Sequence, residues 1–218
     1  MSGTFVTFEG IEGSGKSTQA RLLAERLRRS GREVVLTREP GGTALGRGLR
    51  ALLLASGSPV LPAAEMLLYA ADRAQHVGET IAPALARGAV VLCDRFLDAT
   101  LAYQGVARGL GVEIVRELHR RPPLDLRPRR TLLLDLEPGA ALARARERDA
   151  ARAEGPDEGR FEAEPLAFHR RVREGYLQLA AAERERVRVI AASGSEQEVA
   201  AAVLREVSDL FPDLAEGP

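Results

Sequence analysis

Near the start of the chain, a glycine-rich stretch has the residue types and spacing of a ligand-binding loop. It reads GIEGSGKS at positions 10–17 and is followed directly by Thr18. A glycine, four free positions and then Gly-Lys-Ser form the pattern of a loop that binds nucleotide phosphates. Its glycines allow successive backbone N–H groups to surround an anion, and the following helix adds the positive end of its dipole. The pattern predicts that Lys16 reaches the β- and γ-phosphates and that the Ser17 hydroxyl contacts Mg²⁺. The expected phosphate-binding residues are Gly10, Gly13, Ser14, Gly15, Lys16, Ser17 and Thr18.

Lys16 is the only lysine in a chain whose lysines and arginines number 31. Arginine therefore supplies the positive charge at every other basic position. An ammonium group acts on phosphate as a compact point charge, whereas a guanidinium group offers a planar fork of donors. This composition supports a dedicated role for Lys16 at phosphate.

Two aspartates follow apolar runs that are typical of buried strands, and either could hold or orient Mg²⁺. Asp94 follows residues 90–93, and Asp135 follows residues 131–134. Spacing alone does not choose between them, and either carboxylate could instead cap the next helix. Arg95, directly after Asp94, favours Asp94, because a carboxylate beside a guanidinium suits a site that binds both a metal and a second phosphate.

An acid and several arginines complete the candidate catalytic groups. Glu12 lies inside the phosphate loop and is predicted to contact a metal or the acceptor, since a nearby cation must compensate its charge. The loop contains no arginine, so the further cation that phosphoryl transfer requires must come from elsewhere. Residues 150–163 are rich in charge and lack a period, which is typical of a solvated connection or of a mobile lid, placed here at about 144–161. The candidate lid arginines are Arg146, Arg148 and Arg152.

Tyr69 and Arg73 are four residues apart in a helical pattern and therefore share one face of the helix. An aromatic ring and a guanidinium on one face could stack on a nucleobase and hydrogen-bond to it. Tyr69 could equally belong to the core. Tyr103 and Gln104, shortly after Asp94 and Arg95, allow the same two interpretations.

The elements that would position these residues alternate between strand and helix, which predicts parallel βαβ units with right-handed crossovers. Strands are expected at residues 4–8, 32–38, 89–93, 131–135 and 187–191. Helices are expected at residues 19–29, 44–55, 63–87, 97–104, 112–120, 138–149, 165–182 and 196–210, with Pro83 kinking or splitting the third. The expected fold is α/β, with a five-stranded parallel sheet between helices and the candidate residues at the carboxyl ends of the strands.

The composition limits the class of protein. A chain of 218 residues predicts a single domain, here residues 1–211, with a C-terminal tail at 212–218. A net charge of zero and 4% aromatic residues argue against a nucleic-acid partner, and no apolar run is long enough to span a membrane. The first residues lead into a strand rather than a signal peptide, and one cysteine excludes an internal disulfide. A soluble, cytoplasmic protein is expected.

Four blocks of the sequence together resemble the thymidylate kinase family, in the order and spacing of that family. They are FEGIEGSGKST at 8–18, REPGGT at 38–43, YAADRAQH at 69–76, and DRF at 94–96 with YQG at 103–105. The resemblance runs nearly from end to end and implies a P-loop NTPase-type, three-layer fold. It also implies transfer of the γ-phosphate of ATP to dTMP, giving dTDP, by a Mg²⁺-dependent cytoplasmic homodimer.

The resemblance assigns roles to individual residues. Tyr69 would stack on thymine, and Arg73 would bond an edge oxygen of the base. Arg95, with help from Arg38 or Arg50, would hold the acceptor phosphate. The other implied acceptor contacts are Glu12, Arg38, Pro40, Arg50, Tyr103 and Gln104. Gly-Ser at positions 13–14 resembles the bacterial type, in which a lid arginine is catalytic. Phe96 departs from the tyrosine or histidine expected there.

Two alternatives remain at this point. One is a kinase for another nucleotide or small acceptor, and the other is a P-loop ATPase that acts as a switch. Tyr69, Arg73 and Arg95 count against the switch, because a switch has no use for a second phosphate pocket.

Overall fold

The structure, a computed structural model, describes residues 3–150 and 158–214, apart from the side chain of Asp149. The strands are β1 (Thr4–Glu9), β2 (Val34–Arg38), β3 (Val90–Asp94), β4 (Arg130–Asp135) and β5 (Val187–Ala191). They form one parallel sheet in the order β2-β3-β1-β4-β5. The predicted five-stranded parallel sheet is therefore confirmed.

The register of the sheet aligns the carboxyl ends of its central strands. Phe8 of β1 and Arg38 of β2 both pair with Asp94 of β3, and Glu9 lies opposite Leu133 of β4. Four of the strand ends thus meet at one edge, immediately before the loops that carry the candidate residues. This edge is where ligands bind in open α/β sheets.

Helices cover both faces of the sheet. They are α1 (Lys16–Arg29), α2 (Ala44–Leu54), α3 (Pro62–His76), α4 (Ala82–Ala86), α5 (Leu97–Thr100), α6 (Val112–Leu118), α7 (Pro138–Ala150), α8 (Leu166–Ala182) and α9 (Glu196–Glu206). Alternation along β1 directs Val6 and Phe8 into a core with Leu23 of α1, while Phe5 joins Val91 in a second core. None of the helices in the described ranges is long and apolar enough to cross a membrane.

Two π-helical segments interrupt the predicted helices. Val77–Ile81 separates α3 from α4, so the long helix expected over residues 63–87 is split just before Pro83, as predicted. Proline lacks the N–H that a continuous α-helix would use there. Leu101–Ala107 is also π-helical and continues α5 beyond the end predicted at residue 104.

The ends of the predicted domain and lid differ in detail from the sequence prediction. Pro212–Leu214 form a 3-10 turn, and the Leu214 carbonyl accepts a hydrogen bond from Arg26 at 3.0 Å. Leu214 is buried, so this part of the predicted tail packs against the domain. The predicted lid begins inside α7, and residues 151–157 lie outside the described part of the chain.

Candidate active site

One cavity of about 740 Å³ opens at the carboxyl edge of the sheet. Its walls come from the phosphate loop, the ends of β2 and β3, the helices α2 and α3, the Leu101–Ala107 segment and the base of the predicted lid. The predicted site residues that line it are Glu12, Gly13, Lys16, Ser17, Arg38, Pro40, Arg50, Tyr69, Arg73, Asp94, Arg95, Tyr103, Gln104 and Arg148. The structure therefore brings predicted residues from seven separate parts of the sequence to one cavity.

The phosphate loop is held so tightly that two of its glycines have no room for a side chain. Gly10 has a φ of +136°, and a Cβ there would lie 2.5 Å from the carbonyl oxygen of Leu134. A Cβ on Gly13 would lie 1.9 Å from the carbonyl oxygen of Ala141. The loop is thus wedged between the end of β4 and the start of α7, which fixes its backbone N–H groups in place.

Lys16 is 7% exposed at the first position of α1. Its Nζ donates to the carbonyl oxygen of Ile11 at 2.7 Å and to the Ser14 hydroxyl at 3.4 Å. Burial, followed by the charge of Arg95, lowers the pKa of Lys16 to about 8, although nearby carboxylates oppose this shift. The ammonium is therefore mainly charged at neutral pH but poorly compensated, which suits a group that awaits an anion.

Two oxygen donors meet beside the phosphate loop, because the Ser17 hydroxyl donates to the Asp94 carboxylate. Hydroxyl and carboxylate oxygens suit Mg²⁺, which takes few protein ligands and completes its shell with water and phosphate oxygens. No cluster of three or more His, Cys, Asp or Glu that could hold a metal occurs in residues 3–150 and 158–214. Ser17 and Asp94 therefore fit the predicted ion.

Asp135, the alternative carboxylate, forms an ion pair with Arg173. Arg173 of α8 binds both of its oxygens, through Nε at 2.6 Å and a terminal nitrogen at 2.8 Å. Asp135 thus forms a two-point ion pair away from the residues that line the cavity. Between the two aspartates, the geometry favours Asp94 at the phosphate site.

Arg95 and Glu12 form an ion pair in the wall of the cavity. A terminal nitrogen of Arg95 donates to Glu12 Oε1 at 2.7 Å, while the other donates to the Tyr176 hydroxyl at 3.2 Å. The guanidinium also lies 5.0 Å from the ring centroid of Tyr103, whose hydroxyl donates to Glu12 at 2.7 Å. Arg95 adopts a φ of +70°, a left-handed conformation that is unfavourable for a non-glycine residue. Such strain is concentrated at functional positions in proteins.

Glu12 is kept ionised by its neighbours. Burial alone would raise its pKa, but Arg95, then His169, Lys16 and Tyr103, hold the pKa of Glu12 well below its usual range. The Nδ1 atom of the fully buried His169 lies 3.5 Å from Glu12 Oε2. The carboxylate is therefore available as a fixed negative charge opposite Arg95.

Glu9, at the end of β1, is linked to Arg95 through the Tyr176 hydroxyl. This fully buried side chain accepts hydrogen bonds from the Phe96 N–H and the Tyr176 hydroxyl, both at 2.7 Å. Burial, with a contribution from Asp98, raises the pKa of Glu9 to about 8 against the opposing charge of Arg95. Glu9 is therefore mainly protonated at neutral pH, which leaves Glu12 as the charged acid in contact with Arg95.

Arg73 is held by buried partners that sequence reasoning missed. Its Nε donates to Glu39 at 2.9 Å, and Glu39 also contacts His76 at 3.0 Å. A terminal nitrogen of Arg73 lies 2.8 Å from His119 Nε2, while His119 Nδ1 lies 2.7 Å from the Val115 carbonyl oxygen. Since that carbonyl can only accept, Nδ1 carries the proton and Nε2 accepts from Arg73. Burial and the charge of Arg73 lower the pKa of His119 to about 4, so the imidazole is neutral.

Arg50 already has an anionic partner in this structure. Its Nε and one terminal nitrogen donate to the two oxygens of Glu158, at 2.7 Å and 2.6 Å. The other terminal nitrogen donates to the Pro40 carbonyl oxygen at 3.0 Å. A carboxylate from the base of the predicted lid thus occupies the fork that was expected to bind a phosphate.

The three candidate lid arginines have different positions. Arg148 lines the cavity and donates to Glu162 at 3.4 Å. Arg146 is exposed and lies outside the cavity, because two positions along α7 correspond to a rotation of about 200°. The structure therefore does not bring Arg146 to the predicted catalytic position. Arg152 lies outside the described residues.

Comparisons with known proteins identify relatives of this chain. The family profile described as thymidylate kinase matches residues 8–203. The chain belongs to the thymidylate kinase family. A thymidylate kinase from Synechococcus sp. (strain JA-2-3B'a(2-13)) is 54% identical over 208 residues, which cover 95% of this chain and 96% of the relative. Another from Syntrophotalea carbinolica is 54% identical over 196 residues, covering 89% and 90%.

A solved structure supports the same family membership. The crystal structure of thymidylate kinase from Ehrlichia chaffeensis aligns with a TM-score of 0.74 at 32% identity. The alignment covers 94% of this chain and 98% of that one. The family resemblance inferred from the four sequence blocks and the predicted P-loop NTPase fold are both confirmed.

Several residues of the site were not singled out by sequence reasoning. They are Glu9, Glu39, Glu65, His76, His119, Glu158, His169 and Tyr176. Glu65 had a signal, because it precedes Tyr69 by the same four residues that separate Tyr69 from Arg73. Most of the others act through partners that are distant in sequence, so no local spacing marks them.

Proposed function

We propose that the protein is a nucleoside monophosphate kinase that transfers the γ-phosphate of ATP to dTMP, giving ADP and dTDP. The observation that carries this proposal is one cavity lined by Lys16 of the phosphate loop and by three arginines outside it, Arg38, Arg50 and Arg95. A kinase must hold two phosphate-bearing molecules in fixed relative positions, whereas a switch holds one. The cavity volume of about 740 Å³ falls within the range of small-molecule sites.

On the donor side, the phosphate loop and Lys16 bind the phosphates of ATP. We propose that Ser17 and Asp94 hold Mg²⁺, which when bound would neutralise charge on the phosphate oxygens. Arg148 is the favoured lid arginine, because it lines the cavity on the helix that packs against the phosphate loop. An arginine there adds the positive charge that the loop itself does not supply.

On the acceptor side, Arg95 exchanges partners. In this structure it binds Glu12 at 2.7 Å, and an incoming acceptor phosphate would compete for the same guanidinium. Tyr103 and His169 stay close to Glu12, so its carboxylate remains solvated by protein groups when Arg95 turns to the phosphate. Arg38 and Arg50 supply further positive charge, and Pro40 contributes to the wall beside them.

The base of the acceptor would lie between α3 and the Leu101–Ala107 segment. Tyr69 offers an aromatic face, and Arg73 offers a donor whose orientation is fixed by Glu39 and His119. The protein thus contributes positioning and electrostatic stabilisation rather than covalent chemistry. A lid at residues 144–161 that excludes water belongs to the same proposal, since an open site would favour hydrolysis of ATP.

We propose that the protein acts as a homodimer. Leu45 and Leu52 are seven residues apart on one face of α2, and Leu67 lies on the adjacent helix α3. All three side chains are more than half exposed, which supports an apolar contact with another copy. The single domain over residues 1–211, the cytoplasmic location and the lack of nucleic-acid or membrane partners stay predictions from the sequence.

ATP consumption measured with and without each nucleoside monophosphate tests the proposed activity. We expect dTMP to give the largest stimulation, with ADP and dTDP as products. Stimulation by another monophosphate without any by dTMP would assign the chain to a different acceptor. Turnover that responds to a protein partner and to no nucleotide acceptor would instead support a P-loop switch.

A further inference from the structure

The fully buried carboxylate of Glu65 connects helix α3 to the Leu101–Ala107 segment and to the base of the predicted lid. Glu65, in the first turn of α3, accepts from the Gln104 amide nitrogen at 2.6 Å. Arg160, at the base of the predicted lid, donates to its other oxygen at 2.5 Å, and Arg108 approaches within 3.3 Å. The two arginines pair with Glu65 and fix its position.

Glu65 determines which end of the Gln104 amide is available to a ligand. Glu65 accepts hydrogen bonds from Gln104 and from both arginines, so the Gln104 nitrogen faces Glu65 and the Oε1 oxygen faces away. In residues 3–150 and 158–214, the Gln104 side chain forms its hydrogen bond through the amide nitrogen, to Glu65. Gln104 is 1% exposed but lines the cavity, and its backbone carbonyl is held by the Leu110 N–H at 3.2 Å. The Gln104 side chain therefore presents its Oε1 acceptor to the cavity, and its amide group is held in this orientation.

The helix α3 places this acceptor beside the predicted base site. Glu65, Tyr69 and Arg73 are spaced by four residues and lie along one face of α3. A pyrimidine stacked on Tyr69 would thus lie near a donor, Arg73, and near an acceptor, Gln104 Oε1. A thymine edge offers an oxygen at C4 and a proton on N3, which match that pair. A cytosine edge offers an amino group at C4 and an unprotonated N3, which oppose both groups.

We propose that Glu65 is a positioning residue that holds Gln104 as an acceptor and thereby selects 4-oxo pyrimidine monophosphates over 4-amino ones. This inference rests on the proposed function, because it assigns substrate choice to the same acceptor site. Glu65 does not touch the substrate and acts only through Gln104.

The test compares kcat/KM for dTMP, dUMP and dCMP in the full-length protein and in Glu65→Gln. A neutral amide at position 65 can accept or donate, so Gln104 is no longer forced into one orientation. We expect the preference for dTMP over dCMP to fall about tenfold, the effect of one hydrogen bond. The preference for dTMP over dUMP should not change, because both bases present the same C4 oxygen and N3 proton.

Three further variants separate positioning from folding. Arg108→Gln removes a partner of Glu65 but keeps the carboxylate against Gln104, so it should retain the preference for dTMP. If Glu65→Gln does not fold, Glu65→Asp serves instead. It keeps a carboxylate but moves it away from the Gln104 amide, so it should lower the same preference for dTMP over dCMP. In a Gln104→Met background, Glu65→Gln should cause no further fall.

The outcomes distinguish this inference from the proposed function. Equal loss of activity towards all three nucleotides in folded Glu65 variants would mean that Glu65 is only structural. An unchanged preference for dTMP over dCMP in Gln104→Met would also overturn the inference. A wild-type protein that is not stimulated by dTMP would instead contradict the proposed function itself.

Discussion

Replacing Lys16 with methionine tests the cost of burying a charge that serves phosphate binding. The side chain is 7% exposed, and its pKa falls from the ordinary 10.5 to about 8, mainly through burial. At about 1.4 kcal/mol per pH unit, this corresponds to about 3 kcal/mol of folding free energy lost at neutral pH. Methionine is unbranched and apolar, so it avoids this cost. Methionine also loses the 2.7 Å hydrogen bond to Ile11, which costs about 1 kcal/mol of stability. The variant should therefore be more stable than the wild type by about 2 kcal/mol at neutral pH.

The pH dependence of this gain follows from proton counting. Between pH 8 and 10.5 the unfolded chain still binds the Lys16 proton, whereas the folded chain has released it. The free energy of unfolding of the wild type therefore rises with pH across this window through Lys16, relative to the variant. Lys16→Met should be more stable than the wild type by about 2 kcal/mol below pH 8 and less stable by about 1 kcal/mol above pH 10.5, where only the lost hydrogen bond remains. Kinase activity should be lost at every pH, because the phosphates lose their point charge.

Urea unfolding followed by far-UV circular dichroism at pH 7, 8, 9 and 10 measures this difference, since the chain contains no tryptophan for fluorescence. Lys16→Arg is the matched control, because it keeps a positive charge that does not titrate in this range. It should lack the pH-dependent rise that the wild type shows. Retained turnover in Lys16→Met would refute the phosphate-loop assignment. A stability difference that stays constant from pH 8 to 10.5 would refute the argument from burial.

Three further experiments test the remaining parts of the site. Arg148→Ala should lower kcat about 10³-fold while Arg146→Ala changes it less than about twofold, because only Arg148 lines the cavity; similar effects in single-turnover assays would contradict this. Arg73→Ala should raise the KM for dTMP far more than that for ATP, and equal increases would mean that Arg73 is structural. Glu158→Gln should tighten dTMP binding about fivefold in calorimetry, because it frees the fork of Arg50; unchanged affinity would exclude such competition.

The donor half of the site could be predicted from the sequence because its chemistry is local. Residues 10–18 contain the glycines, the lysine and the hydroxyls in one uninterrupted loop, and the sheet register then places Asp94 beside it. The separation of Arg146 from Arg148 was also within reach, since both fall in the helix predicted over residues 138–149. A rotation of about 200° between them follows from helical geometry alone.

The acceptor half depends on contacts that no local pattern records. Tyr176 reaches Glu9 across 167 residues, and Arg50 reaches Glu158 across 108. A local spacing rule compares neighbours along the chain, so it cannot find pairs that only the folded topology brings together. The resemblance to a known family located the cavity residues, but not the buried partners that orient them.

The π-helical segment Leu101–Ala107 lay beyond prediction for a different reason. Sequence periodicity assumes 3.6 residues per turn, and an i→i+5 segment shifts the direction of the side chains that follow. This segment carries Tyr103 and Gln104, both of which line the cavity. The helix predicted there was correct in kind, but its phase could not be derived from an α-helical pattern.

Because the chain has a single lysine, reagents and enzymes that act on lysine side chains would act only at the phosphate loop. Lys16 is the only internal primary amine, and it is almost wholly buried at the start of α1. A protease specific for lysine can therefore cut the folded chain only when this turn opens, so its cleavage rate reports local opening of the loop. Acyl groups or protein tags that attach to lysine side chains have the same one target. Such a modification and nucleotide binding exclude each other.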